Sequence, residues 1–217
     1  RGFALNKKSS AYFSHGVASG DPLKDRVILW TRVLPGDGVD RGLNVEWQVA
    51  TDTRFAKIVS SGQVFTDISR DFTVKVDAAS LEPGIRYFYR FISEGVVSST
   101  GITKTLPVGE VARFKIGIAS CSNYPQGFFN AYRDMARQDL DAVVHLGDYI
   151  YEYPDGGYAN KEALDRLNRH VRPEHEILTL EDYRTRYGVY RTDQDLQKLH
   201  QNYPFICVWD DHELTNN

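Results

Sequence analysis

The most informative segment of the 217-residue chain is Asp141-Ala-Val-Val-His-Leu-Gly-Asp-Tyr-Ile-Tyr-Glu152. Its first half is an apolar run of the length of a buried strand, and a glycine turn then leads directly to the carboxylate of Asp148. An unpaired carboxylate in such a position loses several kcal/mol of solvation unless a cation or hydrogen-bond donors compensate. The segment therefore predicts a strand that ends in a cation ligand.

Two further predicted strands also end in residues that bind cations. Residues 112–120 lead into Cys121, and residues 204–209 lead into Asp210-Asp211-His212-Glu213. Thiolates, carboxylates and imidazoles are all common metal ligands. Two acids and an imidazole directly after a buried strand indicate a functional site rather than surface decoration.

Helical patterns separate these strands. Periodic apolar residues predict a helix over 128–138, Thr179 and Asp182 form a capping pattern for a second helix, and Asp193 starts a third. Strands that alternate with helices favour a mainly parallel sheet, whose carboxyl ends lie along one edge. Residues 110–217 are therefore predicted to form an α/β domain with its site at that edge.

The N-terminal part of the chain shows short alternating runs separated by turn residues, which favour a sandwich of two antiparallel sheets. Leu81-Glu-Pro-Gly-Ile-Arg-Tyr-Phe-Tyr89 resembles the turn and tyrosine corner of fibronectin type III domains. Trp30 and Trp47 lie inside predicted strands and are expected to anchor the core. A first domain is therefore predicted over residues 1–106. Its strands are predicted at 26–33, 43–50, 72–77 and 86–92, and its turns at 20–22, 35–38, 60–62 and 82–84.

Composition excludes several classes of protein. The chain has 26 basic and 29 acidic residues, a net charge of −3 that offers no electrostatic basis for specific nucleic-acid binding. The longest apolar run is the five residues 205–209, whereas a membrane helix needs about twenty. No transmembrane segment is therefore expected. The start Arg1-Gly2-Phe3-Ala4 has no signal-peptide pattern, so any export signal is expected to have been removed or never to have existed.

Two cysteines are too few for a disulfide scaffold. Cys207 lies inside an apolar strand and is expected in the core. Cys121 follows its strand, where its thiol is either a metal ligand or a small buried side chain. Two other candidates have similar structural alternatives, because Asp148 could simply cap the turn after a glycine and Tyr151 could be a packing residue.

Several blocks of the chain resemble the alkaline phosphatase D family. The resemblance covers nearly the whole chain, and it implies a multidomain protein: an N-terminal fibronectin-III-like β-sandwich followed by the first half of an α/β calcineurin-like metallophosphoesterase domain. The family also implies export, to the periplasm or the cell exterior. The matching blocks are Ala119-Ser-Cys121, Gly147-Asp-Tyr-Ile-Tyr-Glu152 and Trp209-Asp-Asp-His-Glu213, with His15-Gly-Val-Ala-Ser-Gly-Asp21 and Val27-Ile-Leu-Trp-Thr-Arg32 in the N-terminal part.

The resemblance also implies a metal site. By position, Cys121, Asp148 and Tyr151 match the ligands of Fe³⁺, and Asp148 also contacts Ca²⁺. Asp211, in preference to Asp210, is assigned to the second metal. Carboxylate oxygens suit calcium, while a phenolate and a thiolate need a strongly Lewis-acidic ion to stay deprotonated near neutrality. Zn²⁺ is the alternative cofactor, although tyrosine is not among its usual ligands.

The activity implied is hydrolysis of phosphate monoesters and diesters by a metal-bound hydroxide, with His212 and Asp148 as catalytic residues. His212 is placed beside the phosphate. Asn216 or Asn217 adds a further ligand, and Asn216 is assigned to substrate binding. The expected substrates are small phosphate esters or cell-surface phosphopolymers.

Other functions remain open on the sequence. They are a phospholipase-type phosphodiesterase, a non-catalytic exported binding module and an inactive fragment. The family continues well beyond the position of Asn217, so the α/β domain is expected to be truncated there. Activity is then expected only in the presence of the missing C-terminal half, which is itself an expected partner of this part of the fold.

Overall fold

The computed structural model describes residues 11–36 and 38–214. Its strands are β1 Val17–Gly20, β2 Arg26–Arg32, β3 Leu43–Ala50, β4 Ile58–Thr66, β5 Thr73–Ala79, β6 Arg86–Ser93, β7 Val96–Val97, β8 Gly101–Lys104, β9 Ile116–Ala119, β10 Ala142–His145 and β11 Pro204–Cys207. Its α-helices are α1 Asn130–Met135, α2 Lys161–Leu167, α3 Leu180–Tyr190 and α4 Gln194–Asn202. Three short 3₁₀ turns lie at Ile68–Arg70, Tyr124–Gln126 and Asp211–Glu213.

Strands from both parts of the chain join in one six-stranded sheet of order β5-β2-β1-β11-β10-β9. The strands β9, β10 and β11 are parallel, which confirms the parallel arrangement predicted for them. β1 pairs in parallel with β11, where Ser19 lies opposite Pro204, and in antiparallel with β2. The predicted boundary at residues 106–110 falls between β8 and β9, and the division into two domains stays a prediction.

A second sheet, of order β4-β3-β6-β7 with β8 paired to β6, faces β2 and β5 across an apolar core. The hydroxyl of Tyr87 accepts a hydrogen bond of 2.8 Å from the amide of Glu82, as a tyrosine corner requires. The likeness to a fibronectin type III domain itself stays a prediction. Trp47 packs against this core. Trp30 does not, because the pleat of β2 turns it to the other face of the six-stranded sheet.

The turn predicted at residues 60–62 was wrong, because these residues lie in the middle of β4. Gly62 pairs with Trp47 on β3, and a Cβ at Gly62 would lie within 2.8 Å of the Trp47 ring. The glycine therefore accommodates the indole of the neighbouring strand rather than breaking the strand.

The helices cover one face of the parallel strands. A second core joins Val143 and Phe205 of the sheet to Leu196 and Leu199 of α4 and Tyr190 at the end of α3. The side chains of Ile116, Ile118 and Ile206 on the opposite face are exposed. Cys207 was expected in the core but is exposed, and both cysteines are free thiols. Cys207 is the last residue of β11, and its side chain lines a cleft instead of packing in the core.

The helix predicted over 128–138 is shorter, spanning Asn130–Met135, and both helix starts that capping patterns predicted are present. Thr179 and Asp182 form a reciprocal capping box at the start of α3, and the side chain of Asp193 accepts from the first amides of α4. Within residues 11–36 and 38–214, no helix combines the length and the apolar character needed to cross a membrane.

Candidate metal centre

The predicted ligand residues lie at the carboxyl ends of β9, β10 and β11. The loops that follow β9 and β10 are tied together, because the Cys121 amide donates to the Gly147 carbonyl at 3.1 Å and the Ser122 amide to the Asp148 carbonyl at 2.8 Å. Both Cys121 and Asp148 adopt positive φ angles, of 56° and 53°. Non-glycine residues are uncommon in this region, which here turns the chain sharply at the end of each strand.

Asp148 is the buried carboxylate at the centre of the site. Its side chain is only 7% exposed. One oxygen, Oδ2, accepts a hydrogen bond of 3.2 Å from the hydroxyl of Tyr151. The other, Oδ1, is buried and has no hydrogen-bond partner among the described residues. Such an oxygen is costly unless a cation or a donor satisfies it, so the site fits a bound cation.

Two residues from the loop after β11 approach the Asp148 carboxylate. Ligand atoms of Asp148, Asp211 and His212 all lie within 4.8 Å of one another. Asp210 is not in this group, because its carboxylate caps the 3₁₀ turn by accepting from the Asp211 amide at 3.1 Å. Asn216 lies outside the described residues, as does Asn217. The structure therefore brings two of the predicted carboxylates and the predicted imidazole together.

The phenol of Tyr151 contacts the Asp148 carboxylate, whereas the predicted ligand Cys121 lies beside Tyr151 and is not in the group of donor atoms within 4.8 Å of one another. Burial raises the pKa of Tyr151, and so do the neighbouring Asp148 and Cys121 groups and the hydrogen bond that the phenol donates to Asp148. The phenol is therefore protonated near neutrality in the absence of a cation. A strongly Lewis-acidic ion at this point would reverse the balance, because a cation stabilises the phenolate that burial and Asp148 disfavour. The Cys121 side chain is exposed and hence accessible to such an ion.

Glu152 orients the imidazole of His212. The Nδ1 atom of His212 lies 2.8 Å from Oε2 of Glu152, which is only 2% exposed, and the ring packs against the Tyr151 ring with centroids 4.3 Å apart and an angle of 34° between the planes. Burial lowers the pKa of His212, but the hydrogen bond to Glu152 and the nearby carboxylates outweigh burial and raise it above the ordinary value. With Nδ1 held by Glu152, Nε2 is the atom left to face a ligand.

Glu213 connects two of the ligand loops. Its buried carboxylate accepts hydrogen bonds from the amides of Asp148 at 2.9 Å and Asp210 at 2.8 Å, and from the amide of Tyr149. Neither Glu213 nor Glu152 was assigned a role from the sequence. A signal for Glu213 was present, because Asp210-x-x-Glu213 is a capping-box pattern and the box is formed.

A neutral histidine network lies beneath the site. The Nε2 atom of His145 is 2.9 Å from the Ser122 hydroxyl and 3.1 Å from the Tyr132 hydroxyl. Burial lowers the pKa of His145 to about 4. The Ser122 hydroxyl is thus buried and engaged, so it is a support for the loop after β9 and not an exposed nucleophile.

Family models account for nearly the whole chain. The model described as "PhoD-like phosphatase, N-terminal domain" matches residues 3–107, and the model described as "PhoD-like phosphatase" matches residues 116–217. The chain belongs to the PhoD-like phosphatase family. The family predicted from the sequence is therefore confirmed.

Individual PhoD proteins agree with this assignment. Alkaline phosphatase D of Bacillus subtilis (strain 168) is 44% identical over 216 residues, which are 96% of this chain and 36% of that protein. A solved structure of PhoD superposes with a TM-score of 0.88 at 42% identity, over 97% of this chain and 41% of that chain. The chain thus has the PhoD fold over its length and spans about two fifths of these relatives.

Proposed function

We propose that this chain forms part of a metal-dependent phosphoesterase that hydrolyses phosphate monoesters and diesters. The observation that carries the proposal is the buried carboxylate of Asp148: its Oδ1 has no hydrogen-bond partner among the described residues, and a carboxylate oxygen lies within 4.8 Å of donor atoms of Asp211 and His212. Membership of a phosphatase family supports the reaction class. A non-catalytic binding module has no need for a buried carboxylate grouped with a second carboxylate and an imidazole at the distances that suit a cation.

The donor set fits two kinds of cation. Asp148 and Asp211 would supply hard carboxylate oxygens of the kind that Ca²⁺ prefers, and Tyr151 with Cys121 would supply the phenolate and thiolate that suit Fe³⁺. Zn²⁺ is the less favoured alternative, because tyrosine is an unusual zinc ligand. Bound cations supply Lewis-acid polarisation of the phosphoryl oxygens and a lowered pKa for the attacking water.

The chain's own residues position the reacting groups. His212, held through Nδ1 by Glu152, presents Nε2 for a hydrogen bond to a phosphoryl oxygen or for proton donation to the leaving alkoxide. Glu213 accepts hydrogen bonds from the amides of Asp148 and Asp210 and so holds the two loops together. The carboxylates of Asp148 and Asp211 can then bind the same cation site. Asn216 is proposed to contact the substrate. Export to the periplasm or the cell exterior, and action on small phosphate esters or surface phosphopolymers, belong to the same proposal.

The test compares Asp148→Asn with Asp134→Asn in the complete protein. Asp134 is an exposed carboxylate on α1 and serves as the matched control. Elemental analysis for iron, calcium and zinc is paired with turnover of 4-nitrophenyl phosphate and bis(4-nitrophenyl) phosphate. The expected result is that Asp148→Asn loses bound metal and about 100-fold or more in turnover of both substrates, while Asp134→Asn loses neither. Normal metal content and turnover in Asp148→Asn would contradict the proposal. Adding a phospholipid substrate tests the phospholipase alternative.

A further inference from the structure

A cleft of about 720 Å³ lies between the six-stranded sheet and α3, beside the metal centre. Its floor includes Trp30 and Lys75 on the sheet, and its wall includes Tyr187 and Gly188 on α3. This volume is typical of sites for small organic ligands. The donor residues of the candidate metal group, Asp148, Asp211 and His212, do not line the cleft, so it is a separate site.

Positive charge predominates around the cleft. Its acids are already engaged, because Asp71 pairs with Arg32, and Glu213 accepts from three backbone amides. Arg70 and Lys75 form no ion pair within the described part of the chain, and both are exposed at the cleft. The cleft is lined by five cationic side chains, Arg32, Arg70, Lys75, Arg184 and Arg191, and by two carboxylates, Asp71 and Glu213.

Arg191 forms part of the wall of the cleft, and one of its hydrogen-bond donors has no partner among the described residues. Its side chain is only 6% exposed and lies over the Trp30 ring, with its guanidinium carbon 4.7 Å from the ring centroid. One Nη atom donates to the His15 carbonyl at 3.1 Å, while Nε has no partner among the described residues. A buried arginine donor without a partner is costly, and the positive charge of this guanidinium in the cleft wall favours an anionic group in the cleft.

The surface around Arg191 is aromatic. Trp30 is half-buried here rather than packed in the sandwich core, and Tyr149 and Tyr187 lie nearby with ring centroids 5.9 Å apart. Planar rings and a cation together recognise a planar ligand that carries a negative charge. We propose that the cleft binds an organic anion with an aromatic body, at a site independent of the phosphoesterase centre.

The probe is naphthalene-2-sulfonate, titrated calorimetrically into the complete protein. Its two comparison ligands are naphthalene-2-sulfonamide, which has the ring without the charge, and sulfate, which has the charge without the ring. The proposal predicts that naphthalene-2-sulfonate binds at least about tenfold more tightly than either comparison ligand, because both recognition elements are needed. Equal affinity for the sulfonamide would reduce the cleft to a non-specific apolar surface and overturn the proposal.

Gly188 offers a way to fill the cleft without altering a charge. A Cβ at this position would lie 3.6 Å from Nε2 of His15 and 3.7 Å from Nη1 of Arg32, which are ordinary contacts. Gly188→Ala is therefore the tolerated control, and Gly188→Phe is expected to abolish binding of the probe. Melting temperatures of both variants establish that each has folded. Unchanged binding in a folded Gly188→Phe protein contradicts a site in this cleft.

Two further variants test the charge and the independence of the site. Arg70→Gln with Lys75→Gln is expected to weaken binding about fivefold, whereas Lys24→Gln, an exposed lysine outside the cleft, leaves it unchanged. Asp211→Asn is expected to leave probe binding intact. Loss of binding in Asp211→Asn would place the probe at the metal centre, and absence of binding to the complete protein would show that the cleft is not open to ligands. Either result overturns the proposal.

Discussion

The carboxylate of Asp148 is buried, and one of its two oxygens has no hydrogen-bond partner among the described residues. Its position was predictable because the signal is local: an apolar strand, a glycine turn and then an acid. The partner of His212 was not predictable in the same way, because Glu152 lies 60 residues away in the chain. A local pattern identifies which residues end a strand, but it does not record which distant side chains meet there.

Replacing Glu152 by Gln tests whether it positions His212. The amide keeps the shape of the side chain but loses the charge that holds Nδ1, so kcat for 4-nitrophenyl phosphate is expected to fall about tenfold while metal content is retained. Glu110→Gln, an exposed acid outside the site, is the control. The decisive measurement is a double-mutant cycle: in a His212→Ala background the Glu152→Gln change should have no further effect on kcat. A full additional loss would mean that Glu152 acts elsewhere.

His15 makes stability depend on pH. Burial, followed by the charges of Arg32 and Arg191, lowers its pKa from 6.5 to about 4 in the folded chain. As pH falls below about 6.5 the unfolded chain binds this proton first, so stability is full above that pH and is lost progressively towards pH 4. Between pH 7 and pH 5 the expected loss from His15 is on the order of 2 kcal/mol.

The measurement is urea unfolding at pH 7 and pH 5, for the wild-type chain and for His15→Gln. The variant should lose less stability between the two pH values than the wild type does. An identical pH dependence in both proteins would show that His15 does not contribute.

At the scale of elements, the ligand loops depend on a cap. The 3₁₀ turn Asp211–Glu213 is closed by Asp210, and the same turn directs Glu213 back to the loop after β10. Capping signals were the most reliable guide to this chain, since the starts of α3 and α4 were both predicted from them. The polar strand β4 and the helix α2 were missed, because their sequences resemble a turn and a solvated charged segment.

Replacing Glu213 by Ala is expected to release the two loops from each other. Three amides lose their acceptor, and a buried donor without a partner costs about 1 to 3 kcal/mol. We therefore expect a lower melting temperature and, because Asp148 and Asp211 lose their common support, metal affinity at least about tenfold weaker. Glu213→Gln, which retains one acceptor oxygen, should have an intermediate effect. Wild-type metal affinity in Glu213→Ala would show that the loops hold their positions independently.

At the scale of the whole molecule, the pairing of β1 with β11 joins the N-terminal strands to the parallel strands that carry the site. This pairing could not be predicted from the sequence. Ser19 and Pro204 lie far apart along the chain, and the sequence of a strand does not show which distant strand it will pair with. The change from short alternating strands to strands separated by helices was predictable from the sequence. The hydrogen bonding that joins strands of both parts in one sheet was not.

Gly20 tests this junction. A Cβ at Gly20 would lie 2.9 Å from the backbone carbonyl oxygen of Phe205, and a backbone atom cannot move aside as the end of a side chain can. Gly20→Ala is therefore expected to lower the free energy of unfolding by about 1 kcal/mol or more. Gly188→Ala, with ordinary contacts only, should be neutral or stabilising. Comparable urea midpoints for Gly20→Ala and the wild type would contradict a close β1 to β11 contact.

The metal centre is tested most directly by anomalous X-ray diffraction from crystals of the complete protein, measured on both sides of the iron absorption edge. We expect an anomalous peak within coordination distance of the Asp148 carboxylate, with Tyr151 and Cys121 among its ligands, and a second cation contacted by Asp211. Crystals that contain metal bound elsewhere, with the Asp148 carboxylate satisfied by protein hydrogen bonds alone, would contradict it.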